Sequence, residues 1–301
     1  MKRLTSVIPA ILFVTIVMIV SVSCRKKEKV PQFSFAFISD IHLQPENNAV
    51  RGFLQAIDSL NDLKPEFVIT GGDMIMDALG QRHSKADSLY DLYQETVKAL
   101  KMPVYSTMGN HEIYGIYSRS GADKNDPDYG EKMFENKFGK SYYSFEHKGW
   151  KFMILNSIED TGKDGYVGLI DAKQTEWIKE EIQKTDPSTP IVLSTHIPFI
   201  TVETQKYEGT TIANDSSLVI YNGKEILDLF RGHNLKLVLQ GHLHIYEDIF
   251  IDGIHFITGG AIAAGWWKGP YLGHEEGFML IKVKGDDFTS EFVDYKWIVK
   301  Q

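Results

Sequence analysis

Five short motifs concentrate the side chains able to do chemistry: Asp40-x-His42, Gly72-Asp73, Gly109-Asn110-His111-Glu112, His196 and Gly241-His242-x-His244. Two carboxylates (Asp40, Asp73), four imidazoles (His42, His196, His242, His244) and one amide (Asn110) make a donor set of oxygen and nitrogen without thiolate. Such donors suit Zn, Mn, Fe, Co or Ni better than a soft-metal or iron-sulfur site. In extended backbone, residues i and i+2 point the same way, which predicts that Asp40 with His42, and His242 with His244, act as two-toothed grips. Gly72, Gly109 and Gly241 each precede a candidate donor and permit a positive φ or a close backbone approach there. Taken singly, every motif has an ordinary explanation: Asp-x-His as a turn or helix cap, Gly-Asp as any turn, Asn-His-Glu as a capped turn, His196 before Pro198 as a satisfied core histidine. Their conjunction points to a metal centre.

Elements of regular structure must bring these residues together. Phe33 to Ser39 alternates as a strand with one well-buried face and stops at Asp40; Glu66 to Thr70 stops at the Gly71-Gly72-Asp73 turn. Pro103 to Met108 leads to Gly109, Pro190 to Thr195 delivers His196, and Lys236 to Gln240 delivers Gly241. Apolar spacing of three and four predicts helices at about Ala49 to Leu63, Ser84 to Leu100 and Asp171 to Lys184. Strand, turn and helix alternate as in an α/β sandwich, where residues just past strand ends share one rim. Beyond His244, the runs Ile245 to Thr258, Phe278 to Val283 and Phe288 to Trp297 read as antiparallel strands closing the second sheet.

In this order the motifs resemble the calcineurin-like metallophosphoesterase superfamily over about residues 33 to 297. Phe138-Gly139, Tyr142-Tyr143-Ser144-Phe145, the strand Lys151 to Asn156, and Gln174 with Trp177 are similar to its phosphodiesterase and purple-acid-phosphatase-like branch. The resemblance implies a four-layer α/β/β/α sandwich of two mixed sheets flanked by helices. It also implies two divalent ions (Mn, Fe, Zn or similar), one held by Asp40, His42 and His244, the other by Asn110, His196 and His242, with Asp73 bridging. His111 would face the substrate as the catalytic residue. Met76 stands where purple acid phosphatases carry a tyrosine ligand, so their colour is not expected. The segment Asp73 to Asp77 lacks the arginine that follows in protein Ser/Thr phosphatases, which disfavours a phosphoprotein substrate.

The chemistry implied is hydrolysis of a phosphate ester, a diester by preference, by a metal-bridging hydroxide. A phosphomonoesterase or pyrophosphate hydrolase would use the same residues, and a non-catalytic metal-bearing binding module is a third reading. Two divalent ions, two aspartates and one hydroxide leave about one positive charge, a field that selects phosphate. His111 assists the leaving group, with Asp77 or Glu112 as its acidic neighbour. Three loops can shape the pocket: Tyr114 to Tyr129 with Arg119, Thr201 to Leu218, and Gly259 to Gly277 with Trp266, Trp267 and Lys268. Arg119 or Lys268 can contact phosphate, and the paired tryptophans can stack on a base or sugar or equally cover the core. His83, His147, His233 and His255 read as structural or solvated.

The first residues have another role. Met1, Lys2 and Arg3 precede an apolar run from Val7 to Val20, then Ser21 to Ser23 lead to Cys24, the only cysteine. This is the layout of an export signal, residues 1–23, and Cys24 sits where bacterial lipoprotein precursors carry the lipid-modified cysteine. The expectation is a tether over residues 25–31 and a single metallophosphoesterase domain over 32–301. The protein would then be extracytoplasmic and held to a membrane by its lipid, or alternatively secreted, acting on a small-molecule or lipid-linked phosphate ester. The net charge of −8 becomes −10 without Lys2 and Arg3, which argues against nucleic acid as a partner.

Overall fold

The first strand, β1 (Gln32–Ile38), writes both of its faces in a period of two: Phe33, Phe35 and Phe37 go to one packing layer, Ala36 and Ile38 to another. A strand buried on both faces must lie inside a sheet. β1 does so, in a five-stranded sheet of order β13-β12-β1-β2-β3. The computed structural model describes residues 30 and 32–299; the segment read as an export signal, Cys24 and nearly all of the expected tether lie outside the described residues. Among the described residues no helix is long and apolar enough to cross a membrane.

β2 (Phe67–Thr70) and β3 (Val104–Ser106) run parallel to β1; on its other side β12 (Gly277–Lys284) pairs antiparallel with β1, and β13 (Asp287–Asp294) antiparallel with β12. The second sheet has the order β10-β11-β9-β8-β5-β4. Its parallel centre is β5 (Trp150–Ile154), β8 (Pro190–Ser194), β9 (Asn234–Gln240) and β11 (Ile254–Gly259). The edges β4 (Tyr143–His147) and β10 (Tyr246–Ile251) are antiparallel. A small hairpin, β6 (Ile158–Asp160) with β7 (Tyr166–Gly168), stands apart.

The two mixed sheets meet through an aromatic layer in which Phe35 stacks on Phe67 at 5.1 Å and meets Phe152 of the second sheet edge-on at 5.3 Å. The outer faces are covered by helices, α1 (Ala49–Leu63) with α2 (His83–Val97) on one side and α4 (Ala172–Gln183) with α6 (Gly223–Leu229) on the other. α3 (Lys132–Phe138) and α5 (Glu203–Tyr207) are short connections. α1 buries Ala49, Phe53, Ala56, Ile57 and Leu60, the stripe that its spacing predicts. The result is the α/β/β/α sandwich expected.

One expectation is corrected. Ile245 to Thr258 does form the β10–β11 hairpin of the second sheet, but β11 pairs parallel with β9, and β12 and β13 belong to the first sheet. The reason is exposure: without β12, the fully buried β1 would be an edge with an unpaired ladder. β12 carries buried side chains on both faces, Phe278 and Leu280 against Met279 and Ile281, and so supplies that cover.

Candidate metal centre

Five parallel strands, β1, β2 and β3 from one sheet and β8 and β9 from the other, end on the same rim, and the five motifs follow them directly. The turns after β1 and β2 continue as a ladder, with Asp40 N–H donating to Gly72 O at 3.1 Å and His42 N–H to Asp73 O at 2.9 Å. Across the seam the Thr107 and Ser194 hydroxyls bond at 2.8 Å. Gly241 abuts the first sheet so closely that a Cβ there would strike Ser39 Oγ and lie 2.8 Å from Gly71 O. Gly72 has φ of +90°, and a Cβ would lie 2.6 Å from His196 Nδ1. These glycines let the two sheets bring their loops into contact.

Asp40, His42, Asp73, Asn110, His196, His242 and His244 all converge. Asp40, His42 and His244 form one group, Asp73, His196 and His242 another, and the donor atoms of each lie within 4.8 Å of one another. Asn110 Oδ1 is 2.9 Å from His196 Nε2, which puts the amide in the second group. Asp73 Oδ2 stands between the groups, 3.2 Å from His196 Nε2 and 3.7 Å from His42 Nε2. His111 borders the pair, its Nε2 3.8 Å from Asp73 Oδ2 and its N–H donating to Asp73 Oδ1 at 2.9 Å.

The two-toothed grip holds for Asp40 with His42 and fails for His242 with His244, which go to different groups. The i, i+2 rule presumes extended backbone. Asp40, His42, Asp73, His242 and His244 instead adopt left-handed φ between 45° and 74°, a conformation costly without glycine and held here by the surrounding ladder.

Electrostatics fit this set to cations. Burial, then the neighbouring His111, pushes His42 well below the usual histidine range, and burial with His196 lowers His242 to about 3, so both present neutral lone pairs. Burial raises Asp40 against the pull of His244 and His196, whereas for Asp73 the pull of His196 and His111 outweighs burial and holds the carboxyl well down. Burial opposes a charge on His196, yet the Asp73 carboxylate raises it to about 9. His42 Nε2 lies 2.9 Å from His244 Nε2 within their shared group, close enough for both nitrogens to serve one ion. Backbone carbonyls fix the outer nitrogens: His196 Nδ1 donates to Gly71 O at 2.7 Å and His244 Nδ1 to Ala264 O, which directs both Nε2 atoms inward. The donor set thus suits a dinuclear centre of borderline metals.

Glu112 is not an acidic neighbour of the His111 ring. Its fully buried carboxylate accepts four backbone N–H groups, from Gly109 at 2.7 Å, Asp73 and Met74 at 2.8 Å, and Ile75 at 3.1 Å. Burial and the Asp73 charge push it up to about 7 while those donors oppose the rise. Asp77 instead accepts from Leu79 N–H and Gln81. The His111 ring uses Nδ1 on the Met76 carbonyl. The clamp formed by Glu112 escapes sequence reading because its partners are main-chain groups; only its place three residues after Gly109 hints at a cap.

The loops also resolve. Arg119 turns to Asp77 at 4.0 Å and lies over the Tyr117 ring at 4.6 Å. Lys268 is exposed. Trp267 is buried and donates Nε1–H to Ile41 O at 2.9 Å, whereas Trp266 stays partly exposed with its ring 4.5 Å from His244. Tyr166 of β7, which no motif announces, reaches 6.2 Å from the His242 ring. His83, His147 and His255 pair with Asp128, Glu66 and Asp248 away from the centre.

Solved structures share this architecture. A dimetal phosphatase from Danio rerio superposes with a TM-score of 0.59 at 15% identity, covering 88% of this chain and all of that one. GAP50, described as the anchor in the inner membrane complex of Plasmodium, superposes with a TM-score of 0.52 at 15% identity over 88% of this chain and 85% of that one. At such identity the likeness is one of fold. No curated protein matches the chain. The match to the calcineurin-like phosphoesterase family begins in β1 and runs past the last of the converging histidines, over residues 33–246, and the chain belongs to that family.

Proposed function

We propose that the protein hydrolyses a phosphate ester, a diester by preference, at two divalent cations held by Asp40, His42 and His244 and by Asn110, His196 and His242, with Asp73 shared. The observation that carries this reading is Asp73 Oδ2 standing 3.2 Å from His196 and 3.7 Å from His42, between two groups of donors. A cation pair there supplies Lewis acidity toward the phosphoryl oxygens and acidifies water. The chain's own part is to hold and aim. Glu112 fixes the backbone that carries Asp73, and the carbonyls of Gly71 and Ala264 fix the rings of His196 and His244. With Nδ1 committed to Met76 O, His111 has Nε2 free beside Asp73 to pass a proton to the departing alkoxide.

A diester is favoured because its single negative charge matches the roughly single positive charge of the loaded site. Arg119, the nearest candidate to meet a second phosphate charge, lies instead 4.0 Å from Asp77 and over the Tyr117 ring. The test is a screen of mono- and diester phosphates on metal-reconstituted protein, run beside His111→Ala. Turnover of diesters that His111→Ala abolishes supports the reading. Two bound ions with no turnover of any ester would make the protein a metal-bearing binding module, a role that the fold it shares with the Plasmodium anchor allows.

The proposal includes export and lipid attachment at Cys24, supported by the basic, apolar and small-residue succession before it. Cys24→Ser should release the protein from the membrane fraction. A wild-type protein found only in soluble fractions would reject the anchor and leave secretion.

A further inference from the structure

Beside the centre, Trp266 and Trp267 take consecutive left-handed conformations, with φ of 55° and 68°, and Ala264 a third at 36°. Bulky residues rarely adopt this backbone, and it persists only where the surroundings over-determine it. Here the cause is visible. Trp267 is buried against α1, where Gly52 leaves it space, and its Nε1–H donates to the carbonyls of Ile41 at 2.9 Å and His42 at 3.2 Å. With one indole fastened under the metal-binding turn, its neighbour is turned outward over the site.

The Trp266 ring lies 4.5 Å from the His244 ring, tilted by 34°, and 5.9 Å from that of His42. Tyr271 meets it nearly at right angles, at 5.5 Å and 81°, to form a corner. His42 also touches the ring of His111, at 4.6 Å. The residue that would serve the leaving group and the partly exposed indole therefore flank the same histidine. His111 and Trp266 are thus each one ring removed from the other across His42.

We propose that Trp266, cornered by Tyr271, is a stacking platform for a planar aromatic leaving group, so that the preferred substrates are phosphate esters of nucleosides or similar ring-bearing alcohols. This rests on the hydrolase reading above and deepens it. Indole faces bind planar rings by stacking with little dependence on which base is offered. The platform is a specificity determinant: it touches the substrate ring while the phosphate is held elsewhere.

The test compares adenosine 5′-monophosphate with ribose 5-phosphate, two ligands that share sugar and phosphate and differ in the base, on the metal-loaded protein. The wild type should bind the nucleotide about tenfold more tightly, the size of one stacked base. Trp266→Ala should bring that ratio to about one, and Trp266→Phe should keep most of it. Nucleotide should quench tryptophan fluorescence in the wild type and much less in Trp266→Phe, a readout independent of turnover. Equal affinity for both ligands in the wild type would overturn the platform while leaving the hydrolase intact. A loss in Trp266→Ala that is equal for both ligands, with metal content reduced, would make the ring a support for His244 instead. Failure of either phosphate to bind, with no ester hydrolysed, would reject both readings.

Discussion

Glu112 holds Asp73 by the main chain: its carboxylate accepts the Asp73 N–H at 2.8 Å, from a position two residues beyond Asn110. One buried side chain thereby sets the turn after β2 and the turn after β3 together. Glu112→Gln keeps the shape and puts an amide N–H against a main-chain N–H. The expected cost is about 1–3 kcal/mol of stability and a fall of about 10–100-fold in metal affinity. Denaturant unfolding and metal content after dialysis measure the two. Wild-type metal retention would show that the clamp is dispensable.

Asp73→Ala should leave at most one ion bound and remove turnover, because both groups of donors lose their shared oxygen. His111→Ala should keep both ions and lose about 10²–10⁴ in kcat. Metal analysis beside kinetics separates the two variants. Loss of metal from His111→Ala would contradict the division of labour.

Stripping the ions should destabilise the fold. An ion present at 100 times its Kd contributes about 2.7 kcal/mol, which for a domain of this size corresponds to roughly 5–10 °C in Tm. Chelation followed by a thermal scan, with metal restored in a parallel sample, tests this. A Tm indifferent to chelation would mean that the donors hold no ion in solution.

Gly52→Ala sets two effects against each other. Alanine in the first turn of α1 gains at most about 1 kcal/mol in helix propensity, but its Cβ would strike the Trp267 ring. Overpacking of a buried indole costs about 1–3 kcal/mol, so a net loss of stability is expected. A weakened metal site should accompany it, because Trp267 bonds to the Ile41 and His42 carbonyls. A stabilised, fully active variant would show that the loop can shift freely.

Glu181 should steepen the acid limb of stability. Burial opposes its charge, but bonds from Lys151 at 2.8 Å and Ser144 at 2.7 Å outweigh burial and hold the carboxyl below its usual 4.5. A folded value below the unfolded one stabilises fully above about pH 4.5 and is lost as pH falls through the folded value. Glu181→Gln should therefore cost about 1.5–3 kcal/mol near neutrality and progressively less in acid. Urea midpoints measured from pH 3 to 7 check it; a pH-independent difference would contradict it.

Much of this fold is written locally. The stripe from Ala49 to Leu60 places α1, and the alternation in β1 announces a strand buried on two sides. The rim position of each motif follows from topology, since the ends of parallel strands converge whatever the loops do. Loop conformation is another matter. His242 and His244 part company, and Trp266 and Trp267 face opposite ways, because their backbones are left-handed, a state dictated by neighbours distant in sequence. The sheet chosen by β12 depends on which strand edge needs covering, and the role of Glu112 depends on main-chain groups, which leave no trace in residue identity.

The distance in sequence between partners sets an order of events. His42 and His244 meet across 202 residues, and β1 finds its antiparallel neighbour β12 only after Gly277. During synthesis β2 and Phe67 can meet the Phe33 to Phe37 stripe early, but Phe152 and Met279 complete its cover only later, and contacts of such range form slowly. The donor set is therefore complete only once His244 has been made and β9 has joined the second sheet.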